Sequence, residues 1–215
     1  MMRSYGQICG VAKSLDVIGD RWTLLIVREL LVRGASRYTE LRTGLPGIPT
    51  NLLADRLRDL EEAGLLRRDL ASLSAVYVLT PRGEALEPVI DALGRWGAPL
   101  LASTAPDDVL LPHWLVLPAR LYLTDNDPSK RAVRIEVRDG HEQVAIKAAD
   151  GKVSARLGPA RKPDAILIGP TLVAWRLLLG KIDVAQARES GLEIEGKAAA
   201  LKRFGTVGPP KQSKH

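Results

Sequence analysis

A turn rich in glycine and proline, set between two helical segments, constrains this chain most. Residues 39–43 fit a short amphipathic helix, and Gly44–Pro49 contains two glycines and two prolines, which end that helix. Thr50 can cap a second helix, in which leucines at i, i+4 and i+7 form one apolar face as far as Gly64. The pattern predicts a helix, a tight turn and a second helix that buries its leucine face.

The segments on either side extend this pattern. Two amphipathic runs precede it, at residues 11–18 and 22–31, and each ends close to a glycine. Two strand-like runs follow it, at 65–70 and 75–79, and the four residues between them suit a hairpin loop. Residues 81–96 then predict a long helix with one apolar face. The order of the segments predicts a helix-turn-helix followed by a two-stranded wing.

Four sequence blocks carry a resemblance to a known family. They are Asp16–Ile26, Arg37–Leu41, Leu57–Leu65 and Tyr77–Thr80, the last followed by Gly83. In their order and spacing they resemble the HxlR-type winged-helix transcriptional regulators, from about Cys9 to Gly97. The resemblance implies a homodimer on a pseudo-palindromic operator, with recognition by the helix from Thr50 to Ala63 and phosphate contacts from the wing.

Two features depart from the family's pattern. The wing tip, Ala71–Ser74, has no basic residue and lacks the proline that family members often carry there. This difference argues against minor-groove reading by the wing. The family's common N-terminal Cys-Pro stands here as Cys9-Gly10.

Polar and basic side chains around the second helix are the candidates for DNA contact. Thr50 and Asn51 lie in its first turn, where such side chains can read base edges or simply cap the helix. Arg56 can contact DNA or form an ion pair with one of three nearby aspartates. The remaining candidates are arginines near the short helix or the base of the wing, which suit phosphate contact: Arg37, Arg42, Arg67 and Arg68.

The positive charge of the chain lies mostly outside this region. The chain carries 31 Lys+Arg and 25 Asp+Glu, a formal net charge of +6. Residues 1–105 contain 13 basic and 12 acidic side chains, whereas residues 106–215 contain 18 and 13. DNA contact by the first part therefore depends on a few placed side chains rather than on a general positive field.

The C-terminal half shows a second series of strand and helix signals. Strand-like runs at 131–138, 142–148 and 151–157 are joined by Asp-Gly turns, and the first alternates apolar with charged residues. That alternation is typical of a sheet with one solvated face. A strand, two helices, another strand and a last helix follow, at residues 164–168, 171–179, 183–189, 192–195 and 197–204.

Three blocks of this half, at 164–168, 177–183 and 190–196, resemble a sterol carrier protein-like domain over residues 131–204. The resemblance implies a sheet packed against helices around a tunnel for lipids, fatty acyl groups or sterols. Such a binder needs an apolar cavity rather than catalytic polar groups. The candidate lining residues, which can equally be plain core, are Trp114, Leu117, Leu121, Trp175, Leu178 and Phe204.

The sequence therefore predicts an α+β protein with two domains. An N-terminal winged helix-turn-helix domain for DNA binding and dimerisation covers residues 1–102, and a linker with an apolar segment covers 103–130. A C-terminal sterol carrier protein-like α/β domain covers 131–204, and residues 205–215 are expected to be a disordered tail. The apolar stripe of the helix before the linker needs cover, which a second subunit can supply.

Composition argues against several other classes of protein. One cysteine and three scattered histidines exclude a disulfide framework and a metal site. No nucleophile–base pair, phosphate-binding glycine loop or paired carboxylates are recognisable, so neither an enzyme nor a cofactor is predicted. No apolar run is long enough to insert into a membrane and the N-terminus lacks the apolar core of a signal peptide, so a cytoplasmic protein is expected.

These patterns predict a homodimeric repressor that binds double-stranded DNA and senses a hydrophobic small molecule through its C-terminal domain. Two alternatives stay open. Cys9, the single thiol, can make the protein a redox-responsive regulator, although a lone cysteine is usually a small buried hydrophobe. The chain can also be a lipid-binding protein whose winged helix only dimerises.

Overall fold

The computed structural model describes residues 4–69, 75–103 and 108–207. The chain forms two compact units, one ending at Ile90 and the other beginning at Asp91. The predicted wing tip Ala71–Ser74 and residues 104–107 of the predicted linker lie outside the described residues. The four domain ranges expected from the sequence stay predictions.

The described part of the first unit is mainly helical. Its helices are α1 (Gly10–Ile18), α2 (Thr23–Arg33), α3 (Tyr38–Gly44), α4 (Thr50–Glu62) and α5 (Pro81–Glu84). Its strands, β1 (Ser36–Arg37), β2 (Leu66–Asp69) and β3 (Val76–Leu79), pair antiparallel in the order β1-β3-β2. Helix α6 (Glu87–Gly97) begins in this unit and continues into the second. The predicted winged helix-turn-helix is confirmed.

Two local predictions in this unit are wrong. Thr50 does not cap α4: it is the first helical residue, because Pro49 already occupies the capping position with extended backbone angles, and no side chain caps the helix. The wing is not limited to two strands. Residues Ser36 and Arg37, too short a run to give a strand signal, pair with Tyr77 and Val76 of β3.

The predicted long helix from 81 is divided in two. Thr80 caps α5 by accepting a hydrogen bond from the N–H of Gly83 at 3.2 Å, and α5 ends at Glu84. Pro88 lies in the first turn of α6, where its missing N–H costs nothing. Inside a continuous helix Pro88 would lose the bond to the carbonyl of Glu84, so the chain restarts its helix at Glu87.

The leucine face predicted for the helix after the Gly/Pro turn, which is α4, forms part of the core. Leu53, Leu57 and Leu60 of α4 are at most 2% exposed, and Ile26 and Leu41 from the two preceding helices are fully buried. Burying a side chain of this size stabilises the fold by about 1.5–3 kcal/mol. The opposite face of α4 is left in solvent.

A buried carboxylate lies where α2 meets the end of α3. Glu29 of α2 is fully buried, and it accepts from Arg28 Nη2 at 2.8 Å and from Arg33 Nε at 3.3 Å. A Cβ placed on Gly44, the last residue of α3, would overlap the Glu29 carboxylate. A side chain at this position would therefore force the Glu29 carboxylate and its ion pairs to shift, at the point where the turn to α4 begins.

The second unit is organised around a five-stranded sheet. The strands described in this unit, in the sheet and outside it, are β4 (Leu123–Asp125), β5 (Val133–Asp139), β6 (Glu142–Ala149), β7 (Lys152–Leu157), β8 (Ala165–Ile168), β9 (Glu193–Gly196) and β10 (Phe204–Thr206). The sheet order is β7-β6-β5-β8-β9; β5 and β8 run parallel and the other neighbours antiparallel, while β4 and β10 form a separate ribbon. Its further helices are α7 (Val116–Tyr122), α8 (Thr171–Leu178) and α9 (Val184–Glu189).

Most strands and helices predicted for this half are present with small shifts at their ends, but the C-terminal end differs. The predicted helix 197–204 is a 3₁₀ helix, Ala198–Arg203, followed by β10. Gly205 and Thr206, expected to belong to a disordered tail, pair with β4. Residues 208–215 lie outside the described part of the chain. The resemblance to a sterol carrier protein-like domain is not confirmed and stays a prediction.

A buried ion pair holds the β4–β10 ribbon. Arg203 donates two hydrogen bonds to Asp125, one of them 3.0 Å long, and both side chains are almost completely buried. Asp125 also accepts from the N–H of Gly151 at 3.1 Å. The hydrogen bond from Arg203 lowers the pKa of Asp125 below its usual value. The pair joins residues 78 positions apart, which local sequence patterns do not reveal.

Helix α6 is covered on one side by α7 within the second unit. Arg120 of α7 forms an ion pair with Asp91 at 2.7 Å, and the Tyr122 hydroxyl donates to the carbonyl of Gly94 at 2.5 Å. Leu93 and Trp96 of the same helix remain exposed, Trp96 by 74%. A large apolar strip is thus left without cover in the single chain.

We expect Glu29→Ala to lower the free energy of unfolding by about 3–5 kcal/mol, because it removes the buried carboxylate that accepts hydrogen bonds from Arg28 and Arg33. Urea unfolding followed by circular dichroism measures the change. Glu62→Ala, at an exposed glutamate of α4, is the matched control and is expected to shift the free energy of unfolding by no more than about 0.5 kcal/mol. Equal effects of the two substitutions would contradict a structural role for the buried carboxylate.

Candidate nucleic-acid interface

The first turn of α4 is exposed and held in place by α3. Thr50 and Asn51 are both exposed, and the Tyr38 hydroxyl donates to the carbonyl oxygen of Thr50 at 2.8 Å. Leu53 is the first residue whose N–H bonds back along the chain, to the carbonyl of Pro49 at 3.0 Å. Tyr38 is not among the site residues predicted from the sequence, although it lies in one of the blocks that carry the family resemblance.

The N-terminus of α4 has unused hydrogen-bond donors. The first N–H groups of an α-helix have no intrahelical acceptor, and no side chain caps this one. Such donors, together with the helix dipole, favour a phosphate oxygen at this position. The exposed amide of Asn51 beside them has the donor and acceptor pair that suits an adenine edge in the major groove.

Two exposed arginines lie at the two ends of α3. Arg37 precedes the helix, and its backbone N–H donates to the Glu40 carboxylate at 2.6 Å, which orders the start of α3. Arg42 lies in the last turn, and its side chain has no carboxylate partner within the described residues. A guanidinium that is exposed and unpaired is free to contact a phosphate.

Arg56 is engaged within the protein. Its guanidinium lies 2.9 Å from Asp59 and 3.7 Å from Asp20, and only 26% of the side chain is exposed. Asp55, the third aspartate considered for this pairing, instead pairs with Arg58 at 3.3 Å. The intramolecular pairing expected as one alternative is thus present. Contact of Arg56 with DNA stays a prediction, and it would require these ion pairs to rearrange.

The arginines at the base of the wing differ in their surroundings. Arg67 is exposed and pairs with Asp69 at 3.1 Å, while the guanidinium of Arg68 lies 5.8 Å from the centre of the Tyr77 ring. The backbone N–H of Arg68 donates to the Glu61 carboxylate at 3.2 Å, which connects the wing to α4. Both arginines remain candidates for phosphate contact.

The predicted lining residues of the second unit are spread between its core and its surface. Leu121, Leu178 and Phe204 are buried, whereas Trp114, Leu117 and Trp175 are half-buried. This burial fits plain core packing as well as a ligand site. The assignment of these residues to a ligand stays a prediction.

Cys9 is exposed and precedes the first residue of α1. Hydrogen bonds from the backbone N–H groups of Ala12 and Val11 lower the pKa of its thiol. A lowered pKa increases the thiolate fraction, which is the reactive form. The expectation that a lone cysteine is a buried hydrophobe is therefore wrong for Cys9.

Metal-ligand clusters and membrane-spanning helices are two further features that could point to a function. Within residues 4–69, 75–103 and 108–207, no three His, Cys, Asp or Glu side chains are grouped so that they could hold a metal ion. In the same part of the chain, no helix is both long and apolar enough to cross a membrane.

Comparison with known proteins assigns the first unit to a family. The model of the HxlR-like helix-turn-helix family matches residues 17–104. The HTH-type transcriptional regulator YvaP of Bacillus subtilis is 36% identical over 87 residues, which are 39% of this chain and 80% of that protein. The chain belongs to the HxlR-like helix-turn-helix family. The HTH-type transcriptional regulator sll1512 of Synechocystis is 34% identical over 109 residues, which are 49% of this chain and 80% of that protein.

Two of the similar solved structures have names that refer to redox state. The reduced form of the transcriptional regulator YodB from B. subtilis is 30% identical, covers 42% of this chain and 92% of that chain, and has a TM-score of 0.38. The redox regulator HypR in its oxidised form is 31% identical. The match covers 45% of this chain and 99% of that chain, with a TM-score of 0.39. Membership of the HxlR-like family makes this chain a helix-turn-helix transcriptional regulator.

Proposed function

We propose that this HxlR-like regulator is a homodimeric repressor that binds a pseudo-palindromic operator through α4 and responds to a hydrophobic small molecule bound by its second unit. The observation that carries the proposal is the uncapped, exposed first turn of α4, which presents free N–H donors beside Thr50 and Asn51. The protein is proposed to be a regulator rather than an enzyme, and to need no cofactor.

Base reading is assigned to the first turn of α4. An α-helix fits the major groove of B-form DNA, and Asn pairs with the adenine edge through two hydrogen bonds. Thr50 is placed to contact a base or the backbone from the same turn. The helix N–H groups meet a phosphate, which fixes how far α4 enters the groove.

Phosphate contact is assigned to the arginines around this turn. Arg42 is exposed and unpaired among the described residues, so it loses no ion pair on binding. Arg67 must exchange its contact with Asp69 for a phosphate, and Arg56 must give up two aspartates, so both are weaker candidates. The full proposed set is Arg37, Arg42, Arg56, Arg67 and Arg68.

Dimerisation is assigned to the exposed face of α6. Val89, Leu93 and Trp96 follow each other at helical spacing and are 40%, 46% and 74% exposed. A stripe of this kind fits the matching stripe of a second copy about a two-fold axis. Two copies would present two α4 helices, which suits an operator with two half-sites.

Ligand sensing is the least direct part of the proposal. It is supported by the resemblance of the second unit to lipid-binding domains and by its apolar core. A ligand can change DNA affinity only if it binds the DNA-competent and DNA-incompetent states with different affinities. The redox alternative has its own support, because Cys9 is exposed and the pKa of its thiol is lowered.

Substitutions in the DNA interface give the first test. Asn51→Ala is expected to weaken binding to a promoter fragment of the protein's own gene by about 1–3 kcal/mol, and to leave binding to a scrambled duplex unchanged, because a base contact is lost. Arg42→Ala is expected to weaken binding to the promoter fragment and to the scrambled duplex alike. It is also expected to lower the slope of log affinity against log salt concentration by about 1. Fluorescence anisotropy at several salt concentrations measures these changes.

The control is Arg188→Ala, at an exposed arginine of α9 in the second unit, which is expected to change neither affinity nor slope. An Asn51→Ala protein with unchanged operator affinity would show that α4 is not the recognition helix. A wild-type protein without salt-dependent duplex binding would support the alternative of a lipid-binding protein whose winged helix only dimerises.

The dimer contact gives a second test. Trp96→Glu is expected to weaken the dimer by about 2 kcal/mol or more, because it places a charge in an apolar contact. Light scattering coupled to size-exclusion chromatography should then report a monomer at concentrations where the wild type is a dimer. Leu172→Glu, at another exposed apolar residue, is the matched control. A Trp96→Glu protein that stays dimeric would refute the role of this stripe.

The sensor and redox alternatives separate in one experiment. Operator affinity is measured for the wild type and for Cys9→Ser, with extracted cell lipids and, in parallel, with hydrogen peroxide. The proposal expects one lipid fraction to change affinity by about 5–150-fold in both proteins. If no lipid fraction acts and peroxide acts only on the wild type, Cys9 is the sensor and the hydrophobic-ligand proposal fails.

A further inference from the structure

One face of the five-stranded sheet carries a cluster of cations. Arg134 of β5 lies directly opposite Lys147 of β6, and Lys147 lies directly opposite Ser154 of β7. Arg156 stands two residues further along β7 on the same face, because side chains alternate along a strand. Arg161 joins them from the segment that crosses from β7 to β8. We call these four cations, with Ser154, the basic groove.

The direct opposition of Arg134 and Lys147 is unfavourable for the stability of the sheet. Side chains directly opposite each other on neighbouring strands lie about 5 Å apart at Cβ, and like charges in such pairs destabilise the sheet. No carboxylate pairs with Arg134, Lys147, Arg156 or Arg161 in the described part of the chain. The guanidinium of Arg156 donates only to the carbonyls of Leu157 and Pro159, at 3.1 and 2.6 Å.

The acidic residues closest to the groove are already engaged. Asp164 pairs with Arg131 at 2.5 Å and accepts from the backbone N–H of Arg134 at 2.9 Å. Glu136, on the same face of β5, is buried; it pairs with Arg138 and accepts from the N–H of Ala160 at 2.7 Å. The charge of the groove is therefore not neutralised by these neighbours.

The cations surround a concave space rather than a flat surface. The groove is half open to solvent and has a volume of about 320 Å³, in which small side chains, Ala145 and Ala160 among them, leave room. Its polar side chains are four cations and one hydroxyl, with no carboxylate and no aromatic ring. A volume of this size falls at the lower end of the range for small-molecule sites.

We propose that the basic groove binds a small phosphorylated compound through Arg134, Lys147, Arg156, Arg161 and the hydroxyl of Ser154. Arginine and lysine are the side chains that proteins use for phosphate, and several of them converging favour a group with more than one negative charge. The absence of an aromatic side chain gives no stacking platform for a base, so phosphate is the group recognised. The site is independent of the proposed hydrophobic ligand and of DNA binding.

Concavity favours a small anion over the DNA backbone. A duplex presents a row of phosphates on a wide convex surface, whereas this groove, which is half open to solvent, gathers its cations from three strands and a crossing segment around one concave space. The DNA backbone is the competing occupant, and the experiment distinguishes the two.

Calorimetric titration of the full chain with inorganic pyrophosphate tests the site. The wild type is expected to bind at low ionic strength, and Lys147→Ala or Arg161→Ala is expected to weaken binding about ten- to hundredfold, because each removes a charged hydrogen bond to the anion. Arg161→Ala lies outside the strands, so it tests the site even if the strand variant folds poorly. Lys152→Ala is the matched control: this exposed lysine shares the face of β7 with Ser154 and Arg156, but it does not line the groove and lies opposite Ala149 rather than another cation.

Thermal unfolding gives an independent readout. Without anion, Lys147→Ala is expected to raise Tm, because it relieves repulsion by Arg134, while Lys152→Ala leaves Tm unchanged. With pyrophosphate, the wild type and Lys152→Ala should gain more stability than Lys147→Ala and Arg161→Ala. Equal gains in all four proteins would mean that the anion binds elsewhere, and would overturn the proposal.

Two further outcomes would also overturn it. Citrate that binds while pyrophosphate does not would assign the groove to carboxylates instead. If pyrophosphate does not bind, and Lys147→Ala and Arg161→Ala both lower duplex affinity and its salt dependence, the groove is a DNA-backbone surface. The DNA interface of α4 is tested separately by Asn51→Ala, so failure of one proposal does not decide the other.

Discussion

The DNA-binding unit depends on the buried carboxylate of Glu29. A carboxylate without water is costly unless cations and hydrogen bonds compensate it, and Arg28 and Arg33 on the same helix provide that compensation. The Glu29 side chain occupies the space where a Cβ of residue 44 would lie, so a larger residue there would have to displace the carboxylate from its ion pairs. Glycine at position 44 thus lets α3 end against the ion pair, and the turn from Gly44 to Pro49 then leads into α4.

Once α4 is placed, contacts at both of its ends connect it to the rest of the unit. Tyr38 of α3 bonds the carbonyl of Thr50 at its first turn. At the other end, Arg82 donates to the carbonyl of Ala63 at 3.0 Å, and the Thr80 hydroxyl donates to the carbonyl of Gly64 at 2.7 Å. Helix α4 and the start of the wing are therefore oriented by the same contacts. In the proposed interface, side chains of the exposed face, not the backbone, would adapt to a base sequence.

Sequence periodicity predicted the elements that depend on local signals and missed those that depend on distant partners. Leucine spacing and the Gly/Pro turn located α4 within a residue, but the capping role given to Thr50 ignored that Pro49 already fixes the preceding backbone. The two-residue β1 exists only because β3 pairs with it, and the β10 strand only because β4 and the pair Arg203–Asp125 hold it. No local pattern encodes such pairing. For Arg56 the sequence left DNA contact and ion pairing open as alternatives, and only the folded chain brings Asp20 and Asp59 to its guanidinium.

The alternation along β5 predicts one apolar and one solvated face. It does not predict the basic groove, which depends on how the strands pair. A charge on a solvated face normally needs no explanation, since water stabilises it. What makes Arg134 and Lys147 unusual is their register, which places them directly opposite each other, and register follows from the Asp-Gly turn and the paired strands rather than from composition. The excess positive charge of the C-terminal half is thus partly concentrated at one concave site. A regulator whose first unit is nearly neutral can keep such a charged groove for a different ligand, because the recognition proposed for α4 rests on placed hydrogen-bond donors instead of net charge.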